Sequence, residues 1–219
     1  MSKSAPNSVS GDVRCRQCRR AGQKLFLKGD RCYSKKCAVE KRQNGGIVQP
    51  PGQHGQTGRP AKITVYGSQL REKQKMRQMY RVLEGPFRTY VAEATRRRGV
   101  TGANLLQLLE MRFDNVVYRL GFASSRAQAR QLVNHGHFLI NGKPVDIPSY
   151  QTRAGETISV VEASRRVPAI QQAMGSASRI PTWLTADYNQ FFGKVVAAPN
   201  RDEIDSEVQE QVIIEFYSR

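Results

Sequence analysis

The chain has 219 residues, with 35 Lys and Arg against 18 Asp and Glu and a formal net charge of +17. That excess makes a compact chain repel itself unless an anionic partner screens it, and phosphate backbones are the commonest such partner. A membrane surface would call for an amphipathic basic helix or a lipidation signal, and the sequence carries neither. No apolar run approaches the length of a spanning helix, and residues 1–13 lack the apolar core of a signal peptide. The expectation is an intracellular, cytoplasmic protein with reduced thiols, no membrane partner and no small-molecule substrate. The charge is unevenly spread. Residues 1–62 hold 14 basic and 3 acidic residues, 63–100 hold 9 and 3, 101–166 hold 8 and 5, and 167–219 hold 4 and 7. Anionic contact therefore belongs to the first half, and the acidic tail suits packing on the protein itself or on a basic neighbour.

Cys15, Cys18, Cys32 and Cys37 are the only cysteines and follow the spacing C-x2-C-x13-C-x4-C. Two close pairs joined by a loop offer four thiolates in the arrangement tetrahedral zinc requires. An iron–sulfur cluster would use the same four ligands, but nothing suggests electron transfer. The spacing predicts one structural Zn2+, with no open position for catalysis. Arg14, Arg16, Arg19 and Arg20 surround the first pair and would offset the charge of four thiolates; Lys24, Lys41 and Arg42 extend the basic surface. Residues 43–62, QNGGIVQPPGQHGQTGRPAK, lack hydrophobic periodicity and read as an extended arm. Arg42, Arg59 and Lys62 favour an arm that orders on RNA over a plain linker. His54 reads as a backbone or RNA contact, not a metal ligand.

From residue 67 the pattern turns helical, with Ser68 as a cap and Leu70, Met76, Met79, Tyr80 and Leu83 at helical spacing. Lys73, Arg77 and Arg81 stand four apart and share a face, with Arg71 and Lys75 on a neighbouring stripe. Glu72 and Glu84 are too few to neutralise that face within the helix, so phosphate contact is expected. Pro86 suits the first turn of the next helix. That helix ends in Arg96, Arg97 and Arg98, with Gly99 as its cap; three arginines exceed what the helix dipole needs. A third helix is expected to run from near Thr101 to Gly121.

Ser125-x-x-Gln128 resembles a capping box and opens a short helix carrying Arg126 and Arg130 on one face. Two strand-like runs follow, residues 138–140 and 144–147, joined by the hairpin signal Asn141-Gly142, and a further strand is expected over 157–161. Arg126, Arg130, His135, His137 and Lys143 gather near one edge of this unit, and the two histidines lack a third partner that a metal would need. The tail is expected to fold back on the body, with Trp183 as a core anchor.

The stretch SSRAQARQLVNHGHFLINGKPVDIPSYQTRAGETISV resembles the small RNA-binding domain named after the fourth protein of the small ribosomal subunit. That domain also occurs in tyrosyl-tRNA synthetases, pseudouridine synthases and a heat-shock protein, so alone it indicates RNA and not the ribosome. RCRQCRRAGQKLFLKGDRCYSKKCA, PPGQHG, YGSQLREKQKMRQMYRVLE, LLEMRFDNVVYRLGF, PTWL and VIIEFYSR resemble the ribosomal family itself, in its order, over about residues 14–219. The resemblance implies a bacterial-type structural constituent of the small ribosomal subunit. It implies direct binding of small-subunit ribosomal RNA near a junction of helices in the five-prime domain, early in assembly. It further implies contact with ribosomal protein five, a place beside the channel where mRNA enters, and an influence on decoding accuracy. Some members replace the cysteines; this chain keeps all four, as in the zinc-bearing form.

The expected fold is α+β: a mainly helical domain with an N-terminal zinc-binding segment and an inserted RNA-binding domain of two helices packed on a small, mainly antiparallel sheet. The expected divisions are a zinc-binding segment over 1–44, an extended arm over 45–66, a helical body over 67–111, the small RNA-binding domain over 112–175, and a segment over 176–219 that returns to the body. The alternative is a free RNA-binding factor or RNA-modifying enzyme sharing the small domain. Arg112-Phe113-Asp114 has the Arg-x-Asp spacing of pseudouridine synthases, but it lies in a helical pattern with no room for a second catalytic domain. A helix-surface aspartate paired with an arginine is expected there. No nucleophile elbow, phosphate-cradling glycine loop or synthetase signature is present, so no catalytic residue is assigned.

Overall fold

The computed structural model describes residues 11–44, 47–52, 55, 62–176 and 180–218, with the side chains of 11–13, 44 and 176 left aside. The N-terminal part holds helix α1 (Gly11–Ala21), a 3-10 turn (Gly29–Cys32), the short helix α2 (Ala38–Lys41) and the hairpin of β1 (Gln43–Asn44) and β2 (Ile47–Val48). The expected arm thus opens with a two-stranded ladder. His54 and Arg59 lie outside the described residues.

The helical body comprises α3 (Val65–Tyr80), α4 (Glu84–Arg96) and α5 (Thr101–Glu110). Its first helix starts three residues before the expected cap, because the Thr64 hydroxyl accepts the Gly67 N–H at 3.1 Å. Pro86 does lie in the first turn of α4. Beyond α4, Gly99 takes φ +107, and the Asn104 side chain donates to the carbonyls of Ala94, Arg97 and Arg98. The expected long third helix is divided. Helix α5 ends at Glu110 and α6 (Phe113–Arg119) begins after two intervening residues, with its first N–H groups satisfied from a distant loop: Phe113 donates to the Tyr150 carbonyl and Asp114 to that of Pro148. Apolar spacing continued through the break, so periodicity alone did not reveal it.

The small domain consists of α6, α7 (Arg126–Asn134), α8 (Pro168–Ser176) and a five-stranded antiparallel sheet in the order β4-β3-β5-β7-β6. The strands are β3 (Phe138–Ile140), β4 (Lys143–Pro144), β5 (Thr157–Val160), β6 (Leu184–Asp187) and β7 (Phe192–Val195). Asn141 and Gly142 adopt φ +49 and +79, as the expected tight hairpin requires. Pairing stops at Pro144, earlier than expected, with one further bond from the Val145 N–H to the Phe138 carbonyl. One face of the sheet is buried at alternate positions by Phe138 and Ile140, Ile158 and Val160, and Gly193 and Val195. Gly193 is required by its neighbour: a Cβ there would come within 2.8 Å of the Leu120 methyl groups. The capping box is only half formed. Ser125 accepts the Gln128 N–H, but the Gln128 carboxamide reaches Ser124 rather than Ser125.

The tail divides, where a single return to the body was expected. Residues 184–195 complete the sheet, and Trp183, 2% exposed, packs in the small domain's core with Phe113, Phe122 and Phe138. The chain then crosses back, and Ile204, Val208 and Ile213 join Met76, Phe87, Leu105 and Leu109 in the helical core, with α9 (Glu210–Tyr217) packed on α3 and α5. The end of the tail thus packs on its own chain through apolar contacts and through Lys73 lying over the Phe216 and Tyr217 rings. Among the described residues no helix is long and apolar enough to cross a membrane.

Candidate RNA interface and cysteine cluster

The four cysteines line one cavity with Arg14, Leu27, Lys28, Arg31, Ala38 and Val39. Cys15 and Cys18 stand one turn apart on α1, Cys32 ends the 3-10 turn, and Cys37 precedes α2. Loop amides point at the sulfurs; the Lys28 N–H donates to Cys32 Sγ at 3.3 Å. Burial, followed by the neighbouring sulfurs, pushes the Cys18 thiol up to about 11, against the lowering effect of a backbone N–H. A cation among the sulfurs would reverse that balance. As the side chains stand, no group of three or more His, Cys, Asp or Glu among the described residues is drawn together as an ion would draw it. The donor set is nevertheless the one zinc takes: four sulfurs facing one cavity, with N–H groups directed at them.

The basic residues divide into exposed and internally engaged groups. Arg16, Arg20, Lys41, Arg42, Lys62, Arg71, Arg96, Arg97, Arg98 and Lys143 are exposed, as are Arg31, Lys35, Lys36, Arg88, Arg153, Arg165, Arg166 and Lys194, which sequence reasoning passed over because they stand singly or in pairs. Arg97 also pairs with Glu93 at 3.2 Å. Arg19 is buried, and donates to the Gln49 and Pro50 carbonyls at 3.0 and 2.7 Å, tethering the start of the arm. Lys24 pairs with Glu40. The expected cationic face of α3 is corrected. Lys73 is buried and lies 3.0 Å from Glu84, which also holds Arg77 at 2.8 Å and accepts from the Tyr217 hydroxyl. Lys75 is buried against Glu72 at 2.7 Å and Gln23 at 3.2 Å. Two carboxylates thus suffice, because Glu84 approaches from the next helix and serves two cations at once.

Arg126 is a second correction. It does not present a free face with Arg130; its guanidinium donates to Asn115 Oδ1 at 2.7 Å and lies over the Tyr80 and Tyr118 rings. Arg130 keeps 40% of its side chain exposed and lies 3.8 Å from Asp114. His135 is exposed, while His137 Nδ1 lies 2.8 Å from the Ser164 hydroxyl, and burial, then His135, lowers its pKa. Asp114, expected on a helix surface, is buried and held by Arg112 at 3.0 and 2.7 Å, with Arg112 also donating to the Tyr90 hydroxyl. A carboxylate so enclosed serves the fold.

Between the two cores lies Glu110, with no exposed surface. Its carboxylate accepts from Tyr80 at 2.6 Å, from the Asn115 amide at 2.6 Å, and from Arg119 at 2.7 and 3.0 Å. Tyr80 belongs to the helical body and Asn115 and Arg119 to α6, so this one side chain fixes how the small domain sits on the body. Burial alone would raise its pKa, but the Arg119 charge and hydrogen bonds outweigh it and hold the carboxyl at about 2. The exposed cations of both parts therefore occupy fixed relative positions.

Residues 12–110 match the family described as ribosomal protein S4/S9 N-terminal domain, and residues 111–158 match the S4 domain. The chain is 54% identical over 207 residues to the small ribosomal subunit protein uS4 of Natranaerobius thermophilus, covering 94% of this chain and 96% of that protein. It is 56% identical over 210 residues to uS4 of Syntrophobacter fumaroxidans, covering 95% and 98%. Protein uS4A of Clostridium novyi is 56% identical over 205 residues, covering 94% and 96%.

Proposed function

The chain belongs to the uS4 family of small ribosomal subunit proteins, and on that premise we propose a structural role in the small subunit through direct binding of its ribosomal RNA. The observation that carries this reading is the match along nearly the whole chain, including the cysteine segment and tail that a free RNA-binding factor would not need. The exposed arginines and lysines on both sides of the Glu110 junction supply a rigid, extended cationic surface suited to a folded RNA. The role is architectural and not enzymatic, and its place is the ribosome in the cytoplasm. Purified protein is expected to protect one helix junction of deproteinised small-subunit RNA from chemical probing. Equal protection of large-subunit RNA of matched length would refute a specific assembly role.

We further propose contact with ribosomal protein five and a position near the incoming mRNA, supported by the resemblance of the flanking motifs. The four cysteines would hold one structural Zn2+, which when bound would offset half the charge of the four thiolates and join α1 to α2. Metal analysis is expected to return about one zinc per chain, lost together with ordered structure in the N-terminal part on chelation. A protein that folds fully with no metal would remove zinc from the account.

A further inference from the structure

The turn between β3 and β4 is made of a residue pair with chemistry of its own. In an Asn-Gly sequence no side chain on the second residue shields its backbone nitrogen, which can attack the asparagine carboxamide; asparagine is among the thermolabile residues. Asn141 and Gly142 are both exposed, at φ +49 and +79. A second Asn-Gly, at 44–45, lies outside the described side chains.

The exposed Asn141 carboxamide is nevertheless held. Its Oδ1 accepts the Thr157 N–H at 2.9 Å and the Thr157 hydroxyl at 3.1 Å. The Asn141 N–H in turn donates to the Thr157 carbonyl at 2.9 Å. A backbone N–H can only donate, so it is the oxygen of the carboxamide that faces Thr157. Thr157 opens β5, which pairs with β3 on one side and with β7 on the other. The clamp therefore comes from a strand outside the hairpin, fixed by the rest of the sheet. Attack needs the Gly142 nitrogen within about 3–3.5 Å of the Asn141 Cγ and above the carboxamide plane. Turning the carboxamide to meet that nitrogen pulls Oδ1 away from both Thr157 donors.

We propose that Asn141 is a deamidation site, closed in the folded chain by Thr157 and open when the sheet unfolds. The Gly142 nitrogen bonds to Cγ, the bond from Cγ to the amide nitrogen breaks, and that nitrogen leaves as ammonia with the Gly142 amide proton. Water then opens the cyclic imide at one of its two carbonyls. Opening at the side-chain carbonyl leaves an aspartate, whose carboxylate can accept the same two Thr157 donors and tolerates the left-handed turn. Opening at the main-chain carbonyl leaves an isoaspartate, which adds a methylene to the backbone between β3 and β4. That extra atom is incompatible with the Ile140–Lys143 register. Time spent unfolded is thus recorded irreversibly in the hairpin, and part of the product cannot rebuild the sheet. The reaction needs no RNA and stands apart from the role proposed above.

The test incubates the full chain in mildly alkaline buffer, native and in urea at matched pH, and follows residue 141 by peptide mapping, which separates it from residue 44. Two hydrogen bonds lost before attack correspond to a native rate roughly thirtyfold below the unfolded one. Thr157→Val keeps the backbone donor and the β-branched shape but removes the hydroxyl, and should raise the native rate about fivefold while leaving the unfolded rate unchanged. After removal of urea, the refolded fraction should hold aspartate and the fraction that fails to refold should hold the isoaspartate. Equal rates in the two states would overturn the clamp, a comparison that stands even where Thr157→Val does not fold. A slower native reaction in Thr157→Val would also overturn it, showing that the hydroxyl activates the carbonyl. Absence of reaction at residue 141 in both states would remove the site, and equal isoaspartate in both fractions would remove its effect on the hairpin.

Discussion

Replacing Glu110 with Ala is expected to destabilise the fold by about 3–5 kcal/mol, the cost of leaving a buried cation without its partner. The change orphans Arg119 and removes acceptors from Tyr80 and Asn115 at once. It also leaves a void where two cores abut, so the two effects add to each other. Glu110→Gln keeps the volume but turns an amide N–H toward guanidinium donors, and should lose somewhat less. The acid dependence carries its own signature. The folded carboxyl ionises at about 2 and an unfolded one near 4.5, so its contribution is complete above about pH 4.5 and disappears as the pH falls towards 2. Urea unfolding between pH 3 and 7 should show wild-type stability falling with acid more steeply than that of Glu110→Gln. Losses below about 1 kcal/mol in both variants would show that the hub is not what joins the two parts.

The affinity for small-subunit RNA is expected to fall by about 10³-fold or more between 50 and 200 mM salt, the response of a protein that neutralises at least six phosphates. The sites of that response can be separated by burial. Arg98 is exposed beyond α4, and Arg98→Gln should lower the salt slope by about 1 while leaving unfolding unchanged. Lys73 is buried between Glu84 and the Phe216 ring, its Nζ 4.5 Å from the ring centre, and Lys73→Gln should lower stability and leave the slope alone. A wild-type slope shallower than about −2 would mean that most of the positive charge meets no phosphate.

These two residues also show how far the sequence could be read. Hairpin, helix and strand signals in residues 125–160 were legible because turn chemistry and periodicity are local: Asn141-Gly142 needs only its own backbone, and Ser125 only the next turn. The cationic stripe on α3 was misjudged because most of its partners come from elsewhere in the chain, the Glu84 carboxylate across a turn and the aromatic rings of α9 from over 130 positions away. Arg126 reads from the sequence as a free RNA-facing cation for the same reason; its partners Asn115, Tyr80 and Tyr118 meet only in three dimensions. The division of the tail was hidden because β6 and β7 are four residues each, and only pairing with β5 identifies them. The Glu110 hub had no sequence signal at all, since a single acid at a helix end is ordinary until its surroundings are known.

The path of the chain through the helical body has a kinetic consequence. Met76, Leu105 and Leu109 are covered by Ile204, Val208 and Ile213, and the whole small domain lies between these groups in sequence. At about 5–20 residues per second, about 100 residues of synthesis separate Leu109 from its cover, on the order of 5–20 s. For that interval the nascent body exposes an apolar face, while the small domain completes its sheet first. The part of the molecule made early is therefore the part that matures last.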